Sequence, residues 1–470
     1  MKSRSAITIA AALLLAATVD AQQLLIHPYV QPGNGSTLGA ADVKVVAWVT
    51  DQKEAPFVVE YGAGFAQKAT PKRTALNLGE NQNYFTYAAQ LTGLPLNAQV
   101  AYRVKQGEKV VGEASFATRR TPDHAVRFVV TGDMGSGKSE QQRVAHQMYL
   151  AKPEFLLVAG DIVYSKGRVS EYFSNFWNQY NNTPKPDPNK GAPLLRGVPL
   201  YGIIGNHDVG ATNLASFPDG FGAFYFFHPP LNGPKNYQWV TPIVGPPDKV
   251  AAFKEAAGVT YPALCNYSFD NGPAHFLCLD ANRYAMMTDA TLRQWIQDDL
   301  TSTTARWKFV FFHQPGFNSS DKHYTEQRTR LLAPLFEKCG VDVVFAGHVH
   351  NYQRSKPLKF QPHEPDKLSI GGRVDGRFTL DEKFDGKENT RPNGVIYIVT
   401  GAGGAGLYDP DFTDNPEKWA HDPKNWAPFT AKFVSNRHSF SVVDVDANQF
   451  TLRQVDLEGK EVDRWQITKP

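Results

Sequence analysis

The chain has 470 residues, 42% of them hydrophobic and 20% charged, a globular balance with apolar material for two or three packed domains, which excludes a disordered or fibrous chain. Its 49 Lys+Arg against 46 Asp+Glu leave a formal net charge of +3, so no broad cationic field marks it for nucleic acid or an anionic membrane. Three cysteines are too few for a disulfide scaffold.

Lys2 and Arg4 precede an apolar run from Ala6 to Ala17, and Val19-Asp20-Ala21 follow before Gln22. A positive start, a short apolar core and a small-residue exit read as a secretory signal peptide over residues 1–21, too short to span a membrane. No later stretch approaches ~18 uninterrupted apolar residues, so a secreted or periplasmic protein without a membrane anchor is expected. Residues 24–118 alternate with a period of two between turn residues, clearest at Val43–Thr50, Pro56–Tyr61, Tyr84–Leu91, Val100–Gln106 and Glu113–Ala117. This predicts an all-β sandwich. Trp48, and Leu91-Thr92-Gly93-Leu94-Pro95 ahead of Tyr102, resemble a fibronectin type III domain.

After Arg119-Arg120-Thr121-Pro122 the pattern changes, and residues 125–470 form a second unit. Buried strands are predicted at Val126–Thr131, Phe155–Ala159, Leu200–Ile204, Lys308–Phe312 and Val341–Ala346, with helices at Ser139–Leu150, Thr291–Leu300 and Tyr324–Lys338. Later strands at Gly394–Val399, Ser439–Val445 and Phe450–Asp456 suggest a second sheet, hence an α/β or α+β layered domain. Three Pro/Gly/Lys-rich stretches read as surface excursions: Asn181–Gly197, Pro229–Lys249 and Lys356–Pro392. Cys265 and Cys278 flank Asn271-Gly272, a hairpin signal that sets them across from one another. Pro273 cannot donate the usual turn hydrogen bond, so a wider loop and a shifted register stay open, and with them both a disulfide and free thiols. Cys339 reads as a packed thiol.

Each of the five buried strands runs into metal-ligand chemistry. The blocks are Gly132-Asp133, Gly160-Asp161-Ile162-Val163-Tyr164, Gly205-Asn206-His207-Asp208, His313-Gln314-Pro315 and Gly347-His348-Val349-His350. Polar residues just past the carboxyl end of a buried strand lie where α/β sheets build their sites.

These blocks resemble the calcineurin-like metallophosphoesterase superfamily. Within it they are similar to the purple acid phosphatases, through Tyr164 three positions after Asp161 and the string Phe345–Arg354. The resemblance implies a metallophosphoesterase fold, a β-sheet sandwich flanked by helices, behind the N-terminal domain. It implies two metal ions: Asp133, Tyr164 and His350 on one, Asn206, His313 and His348 on the other, and Asp161 between them. Phenolate and carboxylate suit Fe(III), whereas imidazole and amide suit divalent Zn, Fe or Mn. A metal-activated water would attack phosphorus in line. His207 and His323 would contact the phosphate or leaving group, Asp208 would hold the His207 ring, and Arg354 would support the ligands from behind. The expected activity is hydrolysis of small-molecule phosphate monoesters, with a phosphodiesterase or phospholipase-like esterase as the alternative. The oligomeric state, monomer or homodimer, stays open.

Other motifs compete. Gly132–Ser139 satisfies the P-loop pattern with Lys138 as its lysine, a distant NTPase reading that leaves the other four blocks unexplained. Gly401–Gly406 is glycine-rich, but no amphipathic helix follows, so a close backbone turn beside the metal site is expected. Phe224–Phe227 and Tyr172–Trp177 read as packing clusters. Asn34, Asn181, Asn266 and Asn318 each open a glycosylation sequon.

Overall fold

The computed structural model describes residues 22–79, 82–368, 372–413 and 427–470; the expected signal peptide over residues 1–21 lies outside them. The N-terminal strands build two antiparallel four-stranded sheets. One runs, in spatial order, through Leu24–Gln31, Asp42–Thr50, Asn83–Leu94 and Lys72–Asn77; the other through Gln67–Ala69, Phe57–Tyr61, Gln99–Gln106 and Lys109–Ala117. Trp48 is fully buried between them, stacked on Tyr87 with centroids 5.2 Å apart and edge-on to Phe57 at 5.2 Å.

The sandwich does not hang free. Tyr29 lies against Trp177 at 4.5 Å and donates its hydroxyl to the Phe226 carbonyl at 2.8 Å. Tyr84 meets Phe173 at 5.0 Å. Ile26, Tyr29, Val45, Ala47, Val49 and Leu76 share one apolar cluster with Tyr172, Trp177 and Phe224–Phe227. The two aromatic runs are therefore core, as expected, and they bind the domains together. At the chain crossing, buried Asp42 accepts from Lys44 and from the Arg119 backbone and Nε at 2.9 and 2.8 Å. The Arg119 guanidinium also donates to the carbonyls of Gly35 at 2.9 Å and Asp270 at 3.4 Å.

Two further sheets face one another in the second domain. The first has six strands, ordered Leu200–Ile203, Phe155–Ala159, Val126–Thr131, Ser439–Val445, Gln449–Asp456 and Glu461–Thr468. The second has seven: Tyr267–Asn271, Ala274–Cys278, Trp307–Phe312, Val343–Ala346, Ile396–Thr400, Tyr352–Ser355 and Thr430–Val434. Phe128, Phe155, Phe276, Phe309, Phe450 and Trp465 fill the space between them. The first three strands of sheet one are parallel, as are the four central strands of sheet two from Ala274–Cys278 to Ile396–Thr400. The carboxyl ends of both parallel sets open on one edge.

Helix Ser139–Leu150 buries Gln141, Val144, Ala145 and Met148, the spacing of one helical face. Helix Ala290–Ser302 is capped by Asp289, which accepts from Leu292 N at 3.0 Å, and buries Leu292, Ile296 and Leu300. The single helix expected over Tyr324–Lys338 is instead a 3-10 turn, Arg328–Leu332, and a short helix, Ala333–Lys338. Pro334 lacks the N–H that a continuous helix needs there. At the Cys265–Cys278 hairpin the shifted register and free thiols, one of the two alternatives left open, are what the structure holds. The turn centres on Gly272-Pro273, Cys278 lies opposite Tyr267, and all three thiols are free. The register moved by two residues, the consequence of a proline that cannot close the tighter turn.

On the outer side of sheet two, His275 is buried between two carboxylates, Nδ1 to Asp270 and Nε2 to Asp299, both at 2.8 Å. Burial works against its charge, but the two carboxylates outweigh it and push the imidazole up to about 9 from 6.5. A folded-state pKa raised in this way stabilises the fold fully below about 6.5, and the contribution disappears as pH rises through about 9. The His275→Gln variant should therefore lose more stability at pH ~6 than at pH ~10, by about 3 kcal/mol. Urea unfolding of both proteins at the two pH values measures this, and an equal deficit at both would contradict it.

Candidate metal centre

Five strand ends deliver the expected ligands to one spot. From sheet one come Asp133 after Val126–Thr131, Asp161 after Phe155–Ala159, and Asn206 after Leu200–Ile203. Sheet two supplies His313 after Trp307–Phe312, and His348 and His350 after Val343–Ala346. Two glycines make the convergence possible. A Cβ on Gly205 would stand 2.2 Å from Asp161 Oδ1, and one on Gly160, whose φ is +79°, would stand 2.5 Å from His313 Nδ1. Only glycine fits where the ligand loops touch. Asp133, Asp161 and His348 themselves adopt positive φ of 58°, 48° and 69°, a backbone cost that the surrounding structure must hold in place.

The donor atoms fall into two groups. In one, the Tyr164 hydroxyl donates to Asp133 Oδ1 at 2.9 Å and lies 3.0 Å from His350 Nε2, which is 3.5 Å from Asp133 Oδ1. In the other, His313 Nε2 is 3.1 Å from Asn206 Oδ1, 3.2 Å from His348 Nδ1 and 3.2 Å from Asp161 Oδ2. Asp161 thus lies in the second group, and its Oδ1 accepts from the His207 backbone at 2.8 Å. Ring orientations are fixed by carbonyls, which can only accept: His313 Nδ1 donates to Ala159 O at 2.7 Å and His350 Nδ1 to Gly406 O at 2.6 Å. Each of these histidines therefore turns Nε2 inward.

These residues fit metal ions. Asp161 Oδ2 is sealed from solvent without a hydrogen-bond partner, a costly state for a carboxylate unless a cation stands beside it. The ligand atoms of Asp161, His313 and His348 all lie within 4.8 Å of one another. Burial, and then the Asp133 and Asp161 carboxylates, push the Tyr164 phenol well above its ordinary range. A phenolate at that position thus needs a compensating cation beside it.

The outer side of the site carries rings. His207, about a third exposed, leans on Tyr164 at 4.5 Å with the planes inclined by 45°, and its Nε2 is 4.0 Å from Asp161 Oδ2. His323, also partly exposed, packs on His348 at 3.9 Å. Both therefore stand beside the ligands, as expected. Two supporting assignments need correction. Asp208 turns inward, away from the His207 ring, and accepts the backbone N–H groups of Gly205, Ile162 and Val163 at 2.8, 2.9 and 3.3 Å; the His207 ring donates instead from Nδ1 to Ser165 O at 2.7 Å. Arg354 points out of the site altogether. Two residues beyond Tyr352 on the same strand, it shares that ring's face, where both side chains engage Asp463.

Glu326 escaped the sequence reading. One carboxylate oxygen is 3.1 Å from His323 Nδ1 and the other 3.3 Å from His348 Nε2, and Arg283 reaches the first at 3.4 Å. Its position three residues after His323 was the available clue. Tyr408 was missed as well: its ring lies parallel to His350, 4.0 Å away and inclined by 11°. The glycine-rich run before it fulfils its expectation, with Gly403 and Ala405 donating to the carbonyls of Gly132 and Asp133 at 3.2 and 2.9 Å. The P-loop alternative fails on the same backbone. The N–H groups of Gly132, Asp133, Met134, Ser136, Gly137 and Lys138 are all donated within the protein, leaving no cradle for phosphates.

Residues 126–352 match the calcineurin-like phosphoesterase family. The chain is 27% identical over 347 residues to purple acid phosphatase 18 of Arabidopsis thaliana, covering 69% of this chain and 67% of that one. It is 24% identical over 326 residues to the Fe(3+)-Zn(2+) purple acid phosphatase 12 of the same plant, covering 66% and 62%. A purple acid phosphatase from yellow lupin seeds shares the fold, with a TM-score of 0.62 at 16% identity over 94% of this chain and 74% of that one. Residues 126–352 are thus a calcineurin-like phosphoesterase domain, and the chain is similar to the purple acid phosphatases in sequence and in fold.

Proposed function

We propose that the protein is an exported acid phosphatase that hydrolyses small-molecule phosphate monoesters at a di-metal centre. The observation that carries this reading is the meeting of seven donor side chains where the two sheets meet, among them Asp161 with a buried oxygen that has no hydrogen-bond partner. Asp133, Tyr164 and His350 would hold one ion, Asn206, His313 and His348 the other, with Asp161 bridging. The hard anionic set suits Fe(III) and the imidazole–amide set a divalent Zn, Fe or Mn, in keeping with the iron–zinc pair that one relative's name records. When bound, such a pair lowers the pKa of a water between the ions and polarises the phosphoryl group.

The chain's own groups would do the rest. His207 and His323 lie on the open side of the ligands and present ring nitrogens where a phosphoryl group would enter. As imidazoliums they would donate to its oxygens or supply a proton to the departing alcohol. Glu326, held ionised by His323 and His348 against its partial burial, contacts both rings and orients them. A monoester dianion suits such a rim, because it brings two charges and a single organic substituent. Export rests on the sequence of residues 1–21.

Three outcomes are expected. Asp161→Ala should lose both ions, measured as metal content per chain, and retention of two would end the bridging assignment. The oxidised protein should show a visible charge-transfer band that vanishes in Tyr164→Phe, and a band surviving that change would refute the phenolate assignment. Aryl phosphate monoesters should be cleaved with kcat/KM at least ~10-fold above matched diesters, about 1.4 kcal/mol in transition-state stabilisation, with an acidic optimum. A diester preference near neutral pH would retain the metal centre and replace the monoesterase reading.

A further inference from the structure

Three rings from three different loops each lie against one of the proposed ligands. His207 leans on Tyr164 and His323 on His348, with centroids 4.5 and 3.9 Å apart and planes inclined by 45° and 44°, and Tyr408 stacks on His350 at 4.0 Å and 11°. The first two are the histidines already assigned to substrate. Tyr408 completes the set: its ring stands 5.8 Å from that of His323, so the two rings flank the open side from neighbouring ligands.

The base of Tyr408 is fixed on both sides. Its backbone N–H donates to the His350 carbonyl at 3.1 Å. The next residue, Asp409, takes the Ser320 hydroxyl and the Asp321 N–H, and its carbonyl accepts from Ser435 Oγ at 2.6 Å. Ser320 and Asp321 belong to the loop that carries His323, so one clamp positions both rings. The Tyr408 hydroxyl, by contrast, takes no hydrogen-bond partner among the described residues. The side chain is only half-buried; burial, and then the Asp133 and Asp161 carboxylates, push its phenol up to about 12. A donor on a rigid base, stacked on a proposed ligand and without an acceptor among the described residues, is arranged to meet an acceptor that arrives with the substrate.

The geometry points to Tyr408 as a substrate-binding residue whose hydroxyl donates to a phosphate oxygen on the His350 side of the centre, beside His207 and His323. This assignment rests on the phosphatase reading. It differs from a purely structural role, in which the ring would serve only to hold His350 in place by stacking.

The Tyr408→Phe variant separates the two, because it keeps the stacked ring and removes only the donor. The measurement is the inhibition constant of inorganic phosphate for the metal-loaded parent and variant, with metal content and the visible spectrum recorded on the same samples. Phosphate should bind about 10-fold more weakly to the variant, with both metals and the spectrum retained, and KM should change more than kcat. Unchanged phosphate inhibition would overturn the assignment, and so would loss of a metal, since Tyr408 would then be a support for His350. A metal-loaded parent that phosphate does not inhibit would overturn the phosphatase reading itself, and this assignment with it.

Discussion

The structure turns on a charge placed where water cannot reach it. Asp161 lies at the edge where two sheets meet, fully buried, and burial alone would drive its carboxyl towards the neutral acid. His313, His207 and His348 hold it below the usual carboxylate range instead. Isolated, such a charge would be far too costly to bury, and one oxygen without a partner adds to that cost. The surrounding protein answers with nitrogen donors on every side and leaves the last lone pairs for a cation. Glycines that let loops touch, positive φ angles at three of the proposed ligands and carbonyls that fix two imidazoles all follow from packing so many donors around one carboxylate.

That dependence explains which features were legible in the sequence. A ligand at a strand end needs an apolar run before it and usually a glycine at the close approach, so Asp133, Asp161, Asn206, His313 and His348 each carried a local signature. Asp208 and Arg354 carried none. Adjacency to His207 says nothing about where a carboxylate turns, and the three N–H groups around Asp208 outcompeted the ring. Arg354 follows the pleat of its strand to Asp463. Glu326 and Tyr408 reach the centre through loops that no periodicity predicts, one of them 58 positions beyond His350. The hairpin register stayed open for a still more local reason, since Pro273 shifts the turn by one residue and the pairing by two.

The sandwich was readable as a domain, but its relation to the rest was not. The face of Ile26, Tyr29, Val45 and Val49, turned away from the sandwich's own core, runs into the aromatic cluster of Tyr172, Trp177 and Phe224–Phe227 without a break. That cluster sits directly behind the loop after Phe155–Ala159, which carries Asp161 and Tyr164. Asn175, within the same aromatic stretch, donates to the Tyr164 carbonyl at 3.1 Å. The N-terminal domain therefore braces the element that positions the proposed bridging carboxylate and phenolate. Its contribution reaches the site through packing, while its own residues stay remote from the ligands.

The three histidines of the floor do not present the same atom. His313 and His350 each give Nδ1 to a backbone carbonyl and turn Nε2 inward, whereas His348 turns Nδ1 towards His313 and sends Nε2 outward to Glu326. Two rings are therefore tied to rigid backbone, and the third is tied to a carboxylate that also contacts His323 and Arg283 at the mouth. A charge arriving at the mouth acts on Glu326 and, through it, on His348. The floor and the rim are thus coupled along a single path of short contacts, through the one ligand whose outer nitrogen meets a side chain instead of the main chain.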